Sequence, residues 1–138
     1  MNCDVYLSFD GNCEEAITYY LDIFDGKLEI LMRYSEGPPE FSKPGIENKI
    51  MHATITFGGN CQIKASDDFH MPLIKGNNYH VSIAADDEEG GYAIFEGLAD
   101  GGKTTMPFND VFWGGKFGSC IDKFGVQWMI SAPSSVNS

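Results

Sequence analysis

Hydrophobic and polar residues alternate in three stretches of the chain. In the first stretch, Val5, Leu7 and Phe9 alternate with Tyr6 and Ser8. Such alternation is typical of a strand that buries one of its two faces. Together with shorter apolar runs, it predicts strands over 4–9, 27–34, 49–57, 61–66, 78–84, 117–121 and 126–130.

Two segments between these strands have helical periodicity. Apolar side chains from Cys13 to Phe24 recur at the spacing of one helix face, which predicts an amphipathic helix. Asn12 and Glu15 predict a capping box at its start, and Gly26 predicts a left-handed residue at its end. A second helix is predicted from the acidic pair at 86–87 to Ala99, although its glycines weaken its first turn.

Glycine-containing turns join the later strands. Gly58-Gly59-Asn60 and Lys123-Phe124-Gly125 each lie between two apolar runs, and both predict hairpin turns. The longest connection spans 35–48 and contains three prolines and two glycines. It is either a lid over a binding site or a passive surface loop, and the sequence favours neither.

The order of the predicted elements repeats. Each half reads strand, helix, strand, strand, strand, and aligning the last strands of the halves places Lys64 over Met129. We therefore expect a single domain over 1–132, in which module one spans 1–67, a linker spans 68–76 and module two spans 77–132. The serine-rich segment 133–138 is expected to be a flexible tail.

The composition excludes several classes of partner. The formal net charge is -11 and the chain contains no basic run, so binding to nucleic acid or to an anionic membrane is not expected. The four cysteines, at positions 3, 13, 61 and 120, show no zinc-type spacing and predict reduced thiols, with Cys61 and Cys120 buried. Their even number leaves a disulfide open as the alternative. We expect no signal peptide, no membrane-spanning segment and a soluble, cytoplasmic protein.

Several short motifs together resemble one branch of a known superfamily. They are the segments 6–16 (YLSFDGNCEEA), 51–53 (MHA), 65–67 (ASD), 76–78 (GNN), 112–114 (FWG) and 122–129 (DKFGVQWM). With the repeat, they resemble the PhnB-like branch of the glyoxalase, bleomycin-resistance and extradiol-dioxygenase (vicinal oxygen chelate) superfamily. The resemblance implies an α+β fold of tandem βαβββ modules, whose curved, partly open mixed sheets surround a cavity. It also implies a homodimer.

The strand alternation predicts which side chains face such a cavity. The apolar residues of each strand should pack on the helices, which leaves the opposite set facing inward. A polar inner face with an aromatic rim suits a small-molecule pocket, although a solvated sheet face has the same pattern. The candidate ligand-binding residues are Tyr6, His52, Gln62, Lys64, Asn78, His80, Gln127 and Met129, with Trp113 and Phe117 at the rim.

A metal site is not favoured by these residues. The resemblance places metal ligands at positions that correspond to Asp4 (or Val5), Lys64, His80 and Met129. Lysine and methionine are unsuited to a hard divalent ion. Asp4 and His80 would remain, with His52 as a third candidate, and we expect no tightly bound metal and no other cofactor.

Two functions from different classes remain open. The first is a binding module that holds a small cationic or aromatic molecule in the cavity, as bleomycin-resistance relatives do without a metal. The alternative is a divalent-metal-dependent isomerase, lyase or dioxygenase that uses Asp4 and His80, assisted by His52. A degenerate relative that mainly dimerises is a third possibility. Methyltransferase labels attach to this branch, but this chain lacks a glycine-rich nucleotide loop and a parallel-sheet pattern, so methyl transfer is not expected.

Overall fold

The computed structural model describes residues 1–134, and within them the chain forms eight strands and two α-helices. The chain divides into two compact units, Met1–Ile74 and the part from Lys75 onward. The first unit contains β1 (Val5–Phe9), α1 (Cys13–Phe24), β2 (Lys27–Arg33), β3 (Ile50–Phe57) and β4 (Cys61–Asp67). The second contains β5 (Val81–Ala84), α2 (Glu88–Ala99), β6 (Lys103–Asp110), β7 (Lys116–Ile121) and β8 (Gln127–Ala132).

Each unit has one four-stranded mixed sheet, and the two sheets share one topology. The strand order is β1-β4-β3-β2 in the first sheet and β5-β8-β7-β6 in the second. The outer pairs β1/β4 and β5/β8 are parallel, and the remaining neighbours are antiparallel. The predicted α+β fold of tandem βαβββ modules is confirmed.

The strand registers show that the two units correspond residue by residue. Lys64 of β4 pairs with Tyr6 of β1, and Met129 of β8 pairs with Ser82 of β5. Lys64 and Met129 therefore occupy equivalent positions, as the sequence repeat predicts.

Each helix packs on one face of its own sheet and buries the apolar residues there. In the first unit α1 contacts β3 and β4, and the strand residues Leu7, Ile55 and Ile63 are buried. In the second unit α2 contacts β6, β7 and β8, and Trp128 is fully buried. The alternating residues on these strands therefore point away from the helices.

The start of α1 is capped differently from the prediction. Asn12 is the N-cap residue, but its side chain makes no capping hydrogen bond, so the predicted capping box does not form. Instead, Oδ1 of the buried Asp67 accepts hydrogen bonds from the backbone N–H groups of Gly11 (2.8 Å) and Cys13 (2.9 Å). The other oxygen accepts from the backbone N–H of Ile50 (2.9 Å). One carboxylate of β4 thus satisfies the first turn of α1 and the start of β3.

The end of α1 also differs by one residue. Asp25, and not Gly26, adopts the left-handed conformation, with φ 50°. Gly26 is needed for a different reason, because a Cβ atom there would lie 2.9 Å from the carbonyl oxygen of Thr56. The glycine allows the chain to pass close to β3 as it enters β2.

The first strand of the second unit is shorter than predicted. β5 begins at Val81, so Asn78 and His80 lie in the preceding connection and not in a strand. The side-chain amide of Gln127 donates a hydrogen bond to the carbonyl oxygen of Gly76. A side chain therefore satisfies one backbone carbonyl group of this connection.

Cys61 is exposed, contrary to the expectation that it is buried. It is the first residue of β4 and follows the turn at 58–60, where the sheet ends. The alternation along β4 places Cys61 on the helix-facing side of the sheet. It does not show whether α1 extends far enough to cover this end of β4. Cys120, in the middle of β7, is buried as predicted.

The connection between β2 and β3 contains two short 3₁₀ turns, Tyr34–Glu36 and Pro39–Phe41. Backbone hydrogen bonds from Tyr34 to Lys49 (3.0 Å) and from Ser35 to Glu47 (3.0 Å) close its base. Of the predicted tail at 133–138, residues 135–138 lie outside the described part of the chain. No helix within residues 1–134 is long and apolar enough to cross a membrane.

Candidate functional site

The face of the first sheet that points away from α1 carries four of the ten candidate ligand-binding residues, namely Tyr6, His52, Gln62 and Lys64. We call it the first polar face. The pairings place Tyr6, Lys64 and Thr54 side by side on β1, β4 and β3. Neighbouring positions on these strands complete the set, which consists of Asp4, Tyr6, Ser8, His52, Thr54, Gln62, Lys64 and Ser66.

Tyr6 is the centre of a hydrogen-bond network on this face. Its hydroxyl donates to Oγ of Ser66 (3.0 Å), which in turn donates to Oδ1 of Asp68 (2.9 Å). The hydroxyl also lies 3.4 Å from Nδ1 of His52, whose Nε2 is 3.0 Å from Oγ1 of Thr54. Both nitrogens of His52 are therefore engaged, and the ring is held beside Tyr6.

Lys64 forms the charged part of the same face. Its Nζ lies 3.3 Å from Oδ2 of Asp4, which also accepts a hydrogen bond from the side-chain amide of Gln62 (2.9 Å). Both partners of the ion pair retain exposed side-chain surface, so solvent screens their attraction. The pair presents one positive and one negative group to an incoming molecule.

Apolar surface lies directly beside these polar groups. Half of Tyr6 is exposed, and Ile30, which pairs with Thr54, is 46% exposed. Met32 pairs with His52 and is also exposed. Exposed apolar side chains around a few hydrogen-bonding groups are characteristic of a ligand-binding surface.

The corresponding face of the second sheet has different chemistry. Met129 lies between Ser82 and Ser119, and Oγ of Ser119 is 2.7 Å from Oγ1 of Thr105. Gln127 is buried and directed to Gly76. This face contains no lysine equivalent to Lys64.

The predicted aromatic residues of the second unit form one cluster. The rings of Phe112 and Trp113 meet edge to face with centroids 4.9 Å apart, and Trp113 lies 6.1 Å from Phe117. Phe112 is almost fully exposed. Of the other candidates in this unit, Asn78 is exposed and His80 is half-buried.

Two of the four residues at the positions implied for a metal, Lys64 and Met129, do not suit a hard divalent ion. Asp4 is engaged by Lys64 and Gln62, and a protonated lysine cannot donate an electron pair. Within residues 1–134, no group of three or more histidine, cysteine, aspartate or glutamate side chains is placed to hold a metal ion.

Two buried thiols are chemically quiet. Burial, with a smaller effect from Asp122, raises the pKa of Cys120 to about 11. Burial also raises the pKa of Cys13 strongly, and the carboxylate of Asp67 adds to the shift. Neither thiol is a nucleophile near neutral pH.

The sequence did not predict a cavity of about 830 Å³ in the first unit. Its lining includes Phe41 and Ile46 from the connection between β2 and β3. The apolar residues of this proline-containing loop were the one sequence feature that could have indicated the cavity. A loop has no periodicity, however, so the sequence does not show where these side chains point.

The comparisons first identify the class of fold. A glyoxylase/bleomycin resistance protein/dioxygenase domain from Frankia sp. superimposes with a TM-score of 0.68, covering 96% of this chain and 97% of that chain at 15% identity. Such low identity supports the fold alone. It is consistent with the predicted α+β fold.

The family follows from closer matches. The family model of 3-demethylubiquinone-9 3-methyltransferase matches residues 2–131, and the chain belongs to this family. The protein YjdN of Escherichia coli K12 is 34% identical over an alignment of 138 positions, which covers 91% of this chain and 91% of that protein.

Two solved structures resemble the whole chain. The protein PA1353 from Pseudomonas aeruginosa has a TM-score of 0.88 at 31% identity, covering 98% of this chain and 99% of that one. A putative 3-demethylubiquinone-9 3-methyltransferase, PhnB protein, from Bacillus cereus has a TM-score of 0.76 at 27% identity, covering 98% and 100%. The predicted PhnB-like resemblance is confirmed.

Proposed function

We propose that the protein binds a small molecule on the first polar face without a tightly bound metal. The observation that supports this most directly is the exposure of Tyr6, Ile30 and Met32 around the Lys64–Asp4 pair. A sheet face that only meets solvent does not require a hydrogen-bonded tyrosine and exposed aliphatic side chains at its centre.

Five residues of this face take part in the proposed binding. The ring of Tyr6 provides a flat contact surface, and its network with Ser66 and His52 fixes the ring before the ligand arrives. Asp4 accepts hydrogen bonds from a cationic group, and Lys64 donates to a carbonyl or hydroxyl oxygen. The net charge of -11 favours a cationic or neutral aromatic ligand over an anion.

Methyl transfer is not part of this proposal, although the description of the family names a methyltransferase. The chain contains no glycine-rich loop between a strand and a helix that would hold a nucleotide-type methyl donor. The strand-to-helix segment at 10–12 is instead tied down by Asp67.

A thermal-shift screen of small cationic and aromatic compounds tests the binding proposal. We expect compounds that raise the melting temperature of the wild type to lose most of this effect in Tyr6→Ala and Lys64→Met. Tyr92→Ala is a matched control, because this tyrosine is similarly exposed but lies on α2. Hits whose shifts are unchanged in both variants of the first polar face contradict the proposal.

One observation supports the alternative of a divalent-metal enzyme. Asp4 immediately precedes the pair Val5–Ile63, and His80 immediately precedes the equivalent pair Val81–Trp128. Both equivalent positions thus carry a side chain that can bind a metal.

Metal content decides between the two functions. Tag-free protein is exposed to zinc, nickel, manganese or ferrous iron, dialysed and analysed by mass spectrometry, alongside His80→Ala and the control His70→Ala. If the protein binds its ligand without a metal, no metal should be retained in a stoichiometric amount. Near-stoichiometric metal that is lost only in His80→Ala would contradict the metal-free proposal and favour the metal enzyme.

We also propose a homodimer located in the cytoplasm. The superfamily resemblance supports the dimer, and light scattering of the purified protein measures it directly. A mass of 15.2 kDa in solution would contradict the dimer.

A further inference from the structure

The cavity of about 830 Å³ lies apart from the first polar face. It is formed by the connection between β2 and β3, by Met51 and by the segment after β4. Met51 and His52 are adjacent on β3, so their side chains point to opposite faces of the strand. None of the residues that line the cavity belongs to the hydrogen-bond network of Tyr6, His52, Ser66 and Asp68.

The walls of the cavity are mainly aromatic and apolar. Tyr34, Phe41 and Phe69 provide three rings, and the lining is completed by aliphatic, sulfur-containing and polar residues, namely Pro38, Ile46, Met51, Glu40, Ser42, Lys43 and His70. Its volume lies within the range of sites that hold small organic molecules. Phe41 is 64% exposed, which costs apolar surface energy unless a ligand covers it.

Two of the walls are fixed in place. The hydroxyl of Tyr34 donates a hydrogen bond to the carbonyl oxygen of Asp67 (2.5 Å), and its ring lies 5.9 Å from that of Phe69. Gly37 packs directly on Met51, because a Cβ atom at position 37 would lie 2.5 Å from the Met51 sulfur. The cavity is thus supported by contacts that exist without a ligand.

The cavity lining contains one positive and one negative side chain, whose charges cancel. Lys43 places its ammonium group 5.7 Å from the centre of the Phe69 ring, and Glu40 contributes a carboxylate. The hydroxyl of Tyr34 is already used. A lining with one cation, one anion and several rings favours a ligand that is aromatic and carries no net charge.

We propose that this cavity is a second binding site, which takes an uncharged planar aromatic molecule. The site is independent of the proposed function of the first polar face. Its ligand is held by contacts with the rings of Tyr34, Phe41 and Phe69, and Lys43 interacts with the face of the bound ring.

Fluorescence titration with the uncharged aromatic dye Nile red tests the proposal. We expect saturable binding to the wild type and about tenfold weaker binding to Phe41→Ala, because one exposed wall is lost. Phe112→Ala is the matched control, since Phe112 is 97% exposed in the second unit, and its affinity is expected to remain within about twofold of the wild type.

Further variants separate this proposal from the first. Tyr6→Ala and Lys64→Met should bind Nile red like the wild type even if they lose every hit of the thermal-shift screen. Loss of dye binding in these two variants, or unchanged binding in Phe41→Ala, overturns the second site. The anionic dye anilinonaphthalene sulfonate tests the charge of the ligand. If it binds more tightly than Nile red and Lys43→Leu removes this preference, the ligand is not uncharged.

Discussion

The indole Nε1 of Trp128 donates a hydrogen bond to Oδ2 of Asp122 over 2.9 Å, and both side chains are buried. The other oxygen of Asp122 accepts from the backbone N–H groups of Phe124 and Val126, each at 2.9 Å. One carboxylate therefore joins the turn between β7 and β8 to the core of the second unit.

Removal of this carboxylate should destabilise the protein strongly. Asp122→Ala leaves three buried donors without this acceptor, and we expect a loss of about 3 kcal/mol or more in the free energy of unfolding. Asp122→Asn keeps one acceptor oxygen and should lose less. Urea unfolding followed by tryptophan fluorescence measures both, and the exposed Asp110→Ala, which should change little, is the control. An equally small effect at both positions would contradict the structural role of Asp122.

The end of α1 offers two neighbouring substitutions with opposite effects. Asp25→Gly should stabilise the protein by about 0.5 kcal/mol, because glycine adopts the left-handed conformation of this residue without strain. Gly26→Ala should destabilise it by about 1–3 kcal/mol, because the new Cβ meets the Thr56 carbonyl. Thermal unfolding distinguishes the two. If Gly26→Ala is harmless and Asp25→Gly is not stabilising, the assignment of the left-handed residue is wrong.

The four thiols should divide into two reactivity classes. Cys3 and Cys61 are exposed, whereas Cys13 and Cys120 are buried and have raised pKa values. Brief alkylation of the native protein with iodoacetamide should modify the first two alone, as peptide mass spectrometry will show. The same reaction in denaturant should modify all four. Rapid labelling of Cys120 in the native protein would refute its burial.

The ion pair between Glu14 and Arg33 should make stability depend on pH. Arg33 donates to both carboxylate oxygens, at 3.0 and 2.7 Å, and these hydrogen bonds hold the pKa of Glu14 below its ordinary value of 4.5. Because the folded-state pKa is lowered, the stabilisation is present above about pH 4.5 and is lost as the pH falls through the lower, folded-state value. The effect is small, since both side chains are partly exposed.

Glu14→Gln tests this pair. The variant should be less stable than the wild type near neutral pH, and the difference should shrink under acidic conditions where Glu14 is protonated. Glu15→Gln controls for the helix dipole, because Glu15 lies in the same first turn. A difference that persists at low pH, or one that Glu15→Gln reproduces, would assign the effect to another cause.

Local patterns predicted both helices and seven of the eight described strands, because alternation and helical spacing are set by neighbouring residues. They gave no bounds for β6 (Lys103–Asp110). The capping of α1 could not be predicted in this way. Its acceptor, Asp67, is 54 residues away from Cys13, and only the parallel pairing of β1 with β4 brings it there. The hydrogen bond from Gln127 to Gly76 was likewise outside the reach of local patterns, because these residues are 51 positions apart.

The candidate site was also predicted only as far as local patterns determine it. Alternation placed Tyr6, His52 and Lys64 on one face, and the structure brings them together with Asp4 and Gln62. The predicted strand positions of Asn78 and His80 were wrong because the strand starts later. The cavity beside Phe41 depends on how an irregular loop folds back on β3, and no period in the sequence records that path.

Gene duplication followed by separate divergence of the two copies explains the matching registers of the two sheets. Equivalent positions carry Tyr6 and Lys64 in the first unit but Ser82 and Met129 in the second. An ancestral half whose two copies kept their backbone pairing was free to acquire new side chains on one copy while the other changed differently. Exchange of residues between equivalent positions, such as Lys64→Met with Met129→Lys, therefore offers a way to move chemistry from one half to the other without redesigning the scaffold.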